Sequence, residues 1–476
     1  MTDAKGQDFK RAAAAALADA KLQRALLNVE HGFIDKRRAA KVKLPEFDRL
    51  REEAREIKNH TLSHLDLYLE AFERKVQESG GEVHYAPGAA EARAIILKLC
   101  QDANAKLVTK GKSMVSEEIG LNAHLQCAGI EVVETDLGEY IVQLRGEMPS
   151  HIIAPVIHLN KETIEADFRR AHRRLPHGRR LDQAQLLVAE ARQVLREKFL
   201  AADAGITGAN LLIAETGSAV IVTNEGNGDL TATLPRLHIV VASIEKLVPT
   251  LEDAATILRL LARSATGQDI TTYTTFFTGA RRQRDPDGPA NYHVVLLDNG
   301  RSEMLGNEFA DMLRCIRCGA CLNHCPVYGA IGGHAYGSVY PGPMGAVLTP
   351  QLQGIDRARD LPNASSFCGR CEAVCPMEIP LPDMMRAWRE RDFGRGNPPL
   401  FERLALKLWA FAAKRPRLYR ALAAIVVRVL ALRGGPRGSL RRLPFATGWT
   451  RTRDLPAPQG RTFLSLYART QWRERR

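Results

Sequence analysis

The sequence has no apolar run long enough to cross a membrane, for which a helix needs roughly 18–20 residues. The longest candidate, Ala421–Leu432, is shorter than this and contains Arg428. The opening stretch MTDAKGQDFKRAAAAALADA carries charges through its apolar part and has no small-residue cleavage site after an uninterrupted hydrophobic segment. We therefore expect no transmembrane segment and a cytoplasmic location, where thiols stay reduced.

Common nucleotide-binding and nucleic-acid-binding patterns are missing as well. No G-x-G-x-x-G follows a strand pattern and no G-x-x-x-x-G-K-[ST] occurs, which argues against a dinucleotide fold or a P-loop. No DNA-reading motif accompanies the basic residues, so we expect no nucleic-acid partner.

Cysteine is scarce outside one segment. Of nine cysteines, seven lie from Cys315 to Cys375, and only Cys100 and Cys127 lie elsewhere. Such crowding in a long chain indicates metal ligands rather than disulfides. Cys100 and Cys127 fall in helical patterns, and we interpret both as ordinary core residues.

The crowded cysteines form two related motifs. The first, CIRCGACLNHCP, has the spacing of a two-cluster ferredoxin, in which three cysteines ligate one 4Fe-4S cluster and the fourth reaches the other. The second, SSFCGRCEAVCP, has Ser365 where the full pattern would have a cysteine. Crossed ligation then predicts cluster 1, held by Cys315, Cys318, Cys321 and Cys375, and cluster 2, held by Cys325, Cys368 and Cys371. Cluster 2 is either a 4Fe-4S cluster completed by Ser365, water or a partner, or a 3Fe-4S cluster.

Tetrahedral zinc is the alternative for these motifs. Structural zinc sites use their cysteines in two pairs, and the first run does not divide that way. His324, between Cys321 and Cys325, is interpreted as a hydrogen-bonded neighbour and not as a ligand. Two clusters linked by crossed motifs favour electron transfer over a single structural cluster.

Four regions are predicted: a helical N-terminal region at 1–80, an α/β domain at 81–303, a mostly helical ferredoxin-type domain at 304–395 and a basic C-terminal region at 396–476. In the second region, β-rich runs alternate with helical patterns, which is typical of a mostly parallel sheet. The predicted strands are Glu82–Tyr85, Lys106–Thr109, Ile130–Glu134, Asn210–Ala214, Ala219–Asn224, His238–Ala242 and His293–Leu297. The predicted helices are 90–103, 113–128, 161–172, 182–201, 252–264, Met384–Arg391, Phe401–Ala413 and Leu418–Leu432.

The positive charge is concentrated in the tail. Residues 401–476 contain 18 Lys and Arg but 3 Asp and Glu, whereas the whole chain has a net charge of +13. Basic residues on apolar helices indicate a surface that docks on an acidic protein or on a membrane. The stretch GWTRTRDLPAPQGRTF, beyond these helices, is predicted to be extended.

Three polar loops of the α/β region could hold an anionic ligand on backbone N–H groups: 111–118, 215–229 and 278–282. Asn224–Asp229 is equally explained as a hairpin turn with glycines at positive φ. Glu215 is a candidate reactive carboxylate, although it could equally cap or pair locally.

The order of several motifs resembles the lactate utilization protein B family over about residues 20–470. These motifs are GKSMVSEEIGLN, RGEMPSHIIAP, ETGSAVIVTNEGNGDLTATLPRLHIVV, DNGRSEML, CIRCGACLNHCPVY, SSFCGRCEAVCP and GWTRTRDLPAP. The resemblance implies the iron-sulfur subunit of a three-protein L-lactate oxidation system, with the seven cysteines as ligands and a serine at 365. It also implies an α/β domain similar to the sugar-phosphate isomerase and CoA-transferase type.

Our leading hypothesis is a non-catalytic electron-transfer subunit. Its expected partners are the other subunits of the lactate system and an electron acceptor, with the protein peripheral to the inner face of the membrane. One alternative is an enzyme that acts on a small acid near Glu215, Asn224 and Arg281. Another is an iron-sulfur sensor with a basic docking tail.

Overall fold

The computed structural model describes residues 8–443, 450 and 453–474, with the backbone alone for 471–474. The chain forms two compact units, Met1–Asp392 and Phe393–Arg476. Residues 1–7 of the predicted N-terminal region and residues 448, 449, 451 and 452 of the predicted extended stretch lie outside the described residues. No helix in the described ranges combines the length and the apolar character needed to span a bilayer.

The helices of the first unit are α1 Phe9–Ala18, α2 Ala20–Leu26, α3 Asp35–Val42, α4 Phe47–Ser63, α5 Leu65–Glu78, α6 Ala89–Asp102, α7 Met114–Glu118, α8 Leu121–Cys127, α9 Leu137–Arg145, α10 Lys161–Ala171, α11 Ala184–Ala201, α12 Asn227–Thr233, α13 Leu251–Ala265, α14 Ala320–Asn323, α15 Pro326–Ile331, α16 Gly342–Gln353, α17 Ile355–Ala358, α18 Arg370–Ala373 and α19 Leu381–Gly394, which ends just inside the second unit. The second unit contains α20 Leu400–Ala413, α21 Pro416–Gly434 and α22 Phe463–Glu474. A π-helical turn, Glu30–Ile34, precedes α3, and short 3-10 turns occupy Ile244–Lys246, Ser302–Met304, Ala310–Arg314, His334–Tyr336 and Gly435–Arg437.

The strands are β1 Glu82–Ala86, β2 Leu107–Gly111, β3 Glu131–Glu134, β4 Ala204–Thr207, β5 Leu211–Ile213, β6 Ser218–Thr223, β7 Leu237–Ser243, β8 Leu247–Val248, β9 Tyr273–Phe277, β10 Asn291–Leu297, β11 Ser439–Leu440 and β12 Leu455–Pro456. Six of them form a parallel sheet in the order β1-β10-β7-β4-β2-β3. A second sheet, β8-β5-β6-β9, pairs β6 antiparallel with both of its neighbours. β11 and β12 form a short antiparallel ladder in the second unit.

The parallel sheet is buried on both faces. Along β7, Ile239 and Val241 pack against α6 and α8, whereas Val240 and Ala242 pack toward α5 and the second sheet. This alternation follows from the two-residue period of a strand. A sheet covered on both faces explains the nearly continuous apolar sequence of β7.

Two predictions for the α/β region are corrected. The predicted strands at 210–214 and 219–224 exist as β5 and β6, but they belong to the second sheet. The hairpin reading of Asn224–Asp229 is wrong, because β6 runs through Gly226, at φ 71°, into α12. The next strand, β7, belongs to the parallel sheet, so the chain passes from the second sheet to the parallel sheet through loop 224–226 and α12.

The N-terminal region is helical, as predicted. In α4 the buried residues Phe47, Leu50, Ala54, Lys58 and Thr61 recur every three or four positions, so one stripe faces the interior. Their core is continuous with the outer face of the second sheet, with α13 and with the cysteine-containing segment. In that segment, 304–395, the described structure contains helices and 3-10 turns but no strand, as the sequence predicts.

Candidate iron-sulfur centre

The two cysteine motifs fold alike. Arg317 and Gly319 flank Cys318 with φ values of 60° and 73°, and Phe367 and Gly369 flank Cys368 with φ values of 54° and 76°. Each turn continues into a one-turn helix, α14 or α18, that carries the next cysteine. A left-handed backbone is uncommon outside glycine and persists where the surroundings impose it. The repeated turn therefore indicates two equivalent binding loops, in which Ser365 corresponds to Cys315.

The four cysteines predicted for cluster 1 line one small pocket, together with Ile152, Met344 and Met377. Cys318, Cys321 and Cys375 are buried and Cys315 is partly exposed. Burial raises the pKa of Cys318 to about 12 and that of Cys375 to about 11. Iron binding must therefore displace protons from these thiols, as is general for thiolate ligands.

The three cysteines predicted for cluster 2 are also electrostatic neighbours. The pKa of Cys371 is raised to about 12, first by burial and then by the nearby Cys325 and Cys368. Cys368 is exposed, so this group lies closer to the surface than the first. Cys321 of the first group senses the charge of Cys371, and the two groups are therefore adjacent.

Backbone N–H groups point at the sulfur atoms. Ala320 donates to Cys318, Val327 and Tyr328 donate to Cys325, and Met377 and Ile379 donate to Cys375, each of which lowers the pKa of its thiol. Donors of this kind stabilise the negative charge of a ligated thiolate and tune its cluster. The donor set and the shared pocket fit iron-sulfur clusters.

Comparison with known proteins agrees with this geometry. Three family models match in chain order: the LUD domain at residues 69–297, a 4Fe-4S dicluster domain at 311–379, and the C-terminal region of lactate utilisation protein B at 384–471. A lactate utilization protein B of Macrococcus caseolyticus is 41% identical over 96% of both chains. The chain belongs to the lactate utilization protein B family. A homologue from Geobacillus thermodenitrificans is 42% identical over 98% of this chain and 94% of its own.

The chain is also similar to two proteins that have other names. An Escherichia coli K12 protein described as an uncharacterized electron transport protein, YkgF, is 41% identical over 98% of both chains. A crystal structure of a DUF162 family protein from Deinococcus radiodurans matches 49% of this chain and 98% of its own at 15% identity. Its TM-score is 0.27, which is too low to establish a shared fold.

In this lactate utilization protein B family member, the N-terminal helices hold the second motif. Arg51 of α4 donates through Nε and Nη2 to the carbonyl oxygen of Cys375, at 3.1 and 2.8 Å. Arg37 of α3 donates to the carbonyl oxygen of Val374 at 2.8 Å. Both guanidinium groups also lie near thiols predicted for cluster 1, where their positive charge would offset the negative charge of ligated thiolates. Nothing in the sequence distinguishes these two arginines from the many others.

A loop of the α/β region, residues 148–155, packs on the first motif. His151 is fully buried, and its Nδ1 accepts from the N–H groups of Ile153 and Ala154 at 3.0 and 3.1 Å. Its Nε2–H therefore donates to Asn323 Oδ1 at 3.0 Å, within α14. Burial lowers the pKa of His151 to about 4, so the ring is neutral. Sequence reasoning overlooked this residue, although it lies inside the motif RGEMPSHIIAP.

The remaining candidate residues have mixed outcomes. His324 is bonded through Nδ1 to the carbonyl oxygen of Ala320 at 2.9 Å, which fits the predicted neighbour role. Cys100 is buried in the core as predicted, and burial raises its pKa to about 12. Cys127 is exposed at the end of α8, so its assignment to the core was wrong. The helical pattern correctly predicted that Cys127 lies in a helix, but it did not show that this residue is on the exposed face.

The three polar loops do not converge. Lys112, Ser113 and Asn224 line one cavity at the carboxyl ends of the parallel strands. Glu215 lies elsewhere, where its Oε2 accepts from the N–H of Leu251 at 3.0 Å and caps α13. The backbone N–H of Arg281 donates to Pro289 O at 2.8 Å within its own exposed loop. Of the proposed set Glu215, Asn224 and Arg281, Asn224 alone lines this cavity.

Proposed function

We propose that this chain is the iron-sulfur electron-transfer subunit of a system that oxidises L-lactate to pyruvate. The observation that carries the proposal is the arrangement of the thiols, with four in one pocket, three in a second group, and Cys321 next to Cys371. Relatives described as an electron transport protein and as lactate utilization proteins support the same role.

The proposed cofactors are two 4Fe-4S clusters. Cluster 1 takes Cys315, Cys318, Cys321 and Cys375, and cluster 2 takes Cys325, Cys368 and Cys371. When bound, they would supply one-electron transfer between partners. The chain's own residues exclude water from cluster 1 and surround it with Arg37, Arg51 and Arg317. Cluster 2 is completed by Ser365, water or a partner, or else contains three irons.

The exposed side of cluster 2 is the proposed contact with a redox partner. Cys368 is exposed, and Phe367 beside it lies under Arg389, whose guanidinium carbon is 4.1 Å from the ring centroid. Because little protein separates cluster 2 from the surface, an electron has a shorter path to a partner from cluster 2 than from the buried cluster 1. The partners are the other subunits of the lactate system, on which lactate itself is oxidised, and an electron acceptor.

The proposal also includes the domain boundaries, the fold type of the α/β domain and the location of the protein in the cell. The four regions 1–80, 81–303, 304–395 and 396–476 are proposed as the domain organisation, with an α/β domain of the sugar-phosphate isomerase and CoA-transferase type. The proposed location is cytoplasmic, at the inner face of the membrane. The exposed apolar residues of α20 and α21, among them Trp409 and Leu432, and the basic tail support this location.

The test is iron and sulfide analysis with low-temperature EPR on protein purified without oxygen, before and after dithionite. Two 4Fe-4S clusters correspond to roughly eight irons and to interacting signals in the reduced state. Roughly seven irons with a signal in the oxidised state would indicate a 3Fe-4S cluster 2. Stoichiometric zinc without iron would overturn the proposal.

A ligand variant with a matched control sharpens the test. Cys318→Ala is expected to remove cluster 1 and to lower stability, because metal binding in such a segment contributes to folding. Cys127→Ala, at an exposed cysteine outside the motifs, is expected to keep full iron and sulfide. Equal iron content in both variants would contradict the ligand assignment.

A further inference from the structure

Three side chains from two distant parts of the chain meet beside the cluster segment. Glu147 and His158 lie in the loop between α9 and α10, and His334 begins the 3-10 turn that follows α15. Each offers one carboxylate oxygen or ring nitrogen, and these three atoms lie within 4.8 Å of one another. Two imidazoles and one carboxylate are a ligand set that zinc uses in proteins, and other divalent transition metals accept it as well.

The contacts of the three side chains suit metal ligands. His158 Nε2 donates to Glu147 Oε2 at 3.0 Å, and the ring centroids of His158 and His334 are 4.4 Å apart. Two ligand atoms that each lie about 2.0–2.2 Å from one metal ion are about 3.0–3.5 Å apart. The Glu147 and His158 atoms already have this separation, and rotation of the partly exposed His334 side chain would bring in the third.

The hydrogen bonds of the two imidazoles leave a nitrogen for the metal on each ring. His334 Nε2–H donates to the carbonyl oxygen of Met148 at 2.7 Å, so the lone pair is at Nδ1. Histidines that bind metals commonly make such a bond with their other nitrogen. Nδ1 of His158 is buried and has no partner among the described residues, so the ring proton can move to Nδ1 and leave Nε2 for the metal.

A cavity of about 350 Å³ adjoins the three side chains. Zinc sites with three protein ligands keep a further position for water, and one water takes up about 30 Å³ in the liquid. The Ser150 hydroxyl lines this cavity and is buried, with no hydrogen-bond partner in the described part of the chain. A buried polar group without a protein partner indicates a bound water or ligand. Asp19 also lines the cavity, but its Oδ1 caps α2 by accepting from the N–H groups of Lys21 and Leu22.

A second group of similar composition suits a metal less well. Glu82, His84 and His293 also place three potential ligand atoms within 4.8 Å, at β1 and β10. However, His84 Nε2 and His293 Nδ1 are bonded to each other at 3.1 Å, and the Glu82 side chain is 69% exposed. This group therefore provides matched control residues.

The position of the first group gives a bound metal a structural role. A Cβ on Gly333, next to His334, would lie 1.8 Å from the carbonyl oxygen of Ser150, so the two segments are in close contact. The same loop carries His151, which bonds Asn323 in the first cysteine motif. A metal at this point would hold the loop against the segment between the two motifs.

We propose that Glu147, His158 and His334 bind one divalent transition metal ion, with zinc as the expected ion, and that this ion fixes the loop between α9 and α10 on the cluster segment. Water completes the coordination, and the Ser150 hydroxyl is its expected hydrogen-bond partner. Zinc has no redox chemistry, so this ion does not carry electrons. The role goes beyond electron transfer and does not depend on it.

The experiment is isothermal titration of the anaerobically purified, cluster-containing full chain with Zn²⁺, with zinc and iron content measured afterwards by mass spectrometry. One retained zinc per chain is expected beside full iron. His334→Gln removes one ligand at a partly exposed residue and is expected to weaken zinc binding at least about tenfold, since even residues that only orient a ligand contribute this much. His84→Gln, the same substitution in the second group, is the control and should keep full affinity.

X-ray absorption at the zinc edge identifies the donor atoms. Nitrogen and oxygen at about 2.0–2.2 Å are expected, whereas sulfur at about 2.3 Å would place the ion on the cysteines and overturn the proposal. No retained zinc, equal affinity in His334→Gln, or a loss of binding in His84→Gln alone would also overturn it. Because iron is measured on the same samples, a chain with full iron and no zinc would contradict this proposal and leave the electron-transfer proposal intact.

Hydrogen exchange tests the structural role. Zinc is expected to slow exchange of the amides in residues 148–155 of the native chain and to have no such effect in His334→Gln. Zinc binding without this protection would contradict the proposed fixing of the loop. Glu147→Gln is a second ligand variant, expected to weaken zinc binding to a similar extent, and it carries the test if His334→Gln fails to fold.

Discussion

Ser365 is the position at which the second motif lacks a cysteine that the first motif has. It corresponds to Cys315, and its Oγ accepts from the N–H of Phe367 at 3.1 Å, within a turn that has the same left-handed backbone as the first motif. A cysteine there would supply a fourth thiolate to cluster 2. We expect Ser365→Cys to alter the EPR spectrum and potential of cluster 2 and to leave cluster 1 unchanged.

Ser366→Cys is the matched control, because residue 366 is the exposed neighbour of the proposed ligand position. We expect this variant to give the native spectrum. If both variants leave the spectrum and the potential of cluster 2 unchanged, Ser365 does not lie at its fourth ligand position.

Other residues show how far a sequence can predict a site. The spacing of the cysteines predicts which thiols share a pocket, because short loops limit where the sulfurs can lie. It does not reveal His151 or Arg51, which contact motif residues 172 and 324 positions away in the sequence, through contacts made only in the folded chain. Long-range contacts of this kind leave no local pattern.

At the scale of elements, alternating and apolar runs predicted seven strands, all of which exist. The central strand β4 was missed because its sequence, Ala-Gly-Ile-Thr, is short and contains glycine. The glycine is required there, since a Cβ on Gly205 would lie 1.8 Å from the carbonyl oxygen of Thr231 in α12. Because α12 packs so closely on β4, the strand carries glycine where a β-branched or aromatic side chain would otherwise mark it as a strand.

Helices α20 and α21 carry the prediction for the basic tail. Their exposed side chains include Phe401 at 76%, Trp409 at 63% and Leu432 at 82%, on a segment rich in arginine. We expect the full chain to sediment with vesicles that contain anionic phosphatidylglycerol and less with neutral phosphatidylcholine. Raising the salt to about 0.5 M should weaken this binding severalfold, because exposed charges are screened.

The double variant Phe401→Ser, Trp409→Ser should reduce vesicle binding at least about fivefold, since two large apolar groups no longer enter the interface. Leu67→Ser, at a residue 59% exposed on α5, is the matched control and should bind as the native chain does. Equal binding of all three proteins would show that α20 does not contact the membrane through Phe401 and Trp409. Binding that does not change with salt would contradict the electrostatic contribution.

At the scale of the whole molecule, the cluster segment of the first unit shares its core with other regions. Phe47 and Leu50 of α4 and Leu211 and Ile213 of β5 belong to one buried apolar cluster, which also contains five motif cysteines: Cys318, Cys321, Cys325, Cys371 and Cys375. A second core, formed by α6, α8 and one face of the parallel sheet, lies apart from them. Loss of the clusters should therefore loosen α4 and β5 together with the motifs.

Hydrogen exchange measured by mass spectrometry on the cluster-containing and the anaerobically chelated protein tests this coupling. We expect amides of α4 and β5 to lose at least about tenfold in protection on iron removal, equivalent to about 1.4 kcal/mol. Amides of α6 and β2 are the internal control and should keep their protection, because their core contains no cluster ligand. A loss confined to residues 304–395 would mean that the cluster segment folds independently of α4 and β5, while a loss throughout the first unit would mean that the two cores unfold as one.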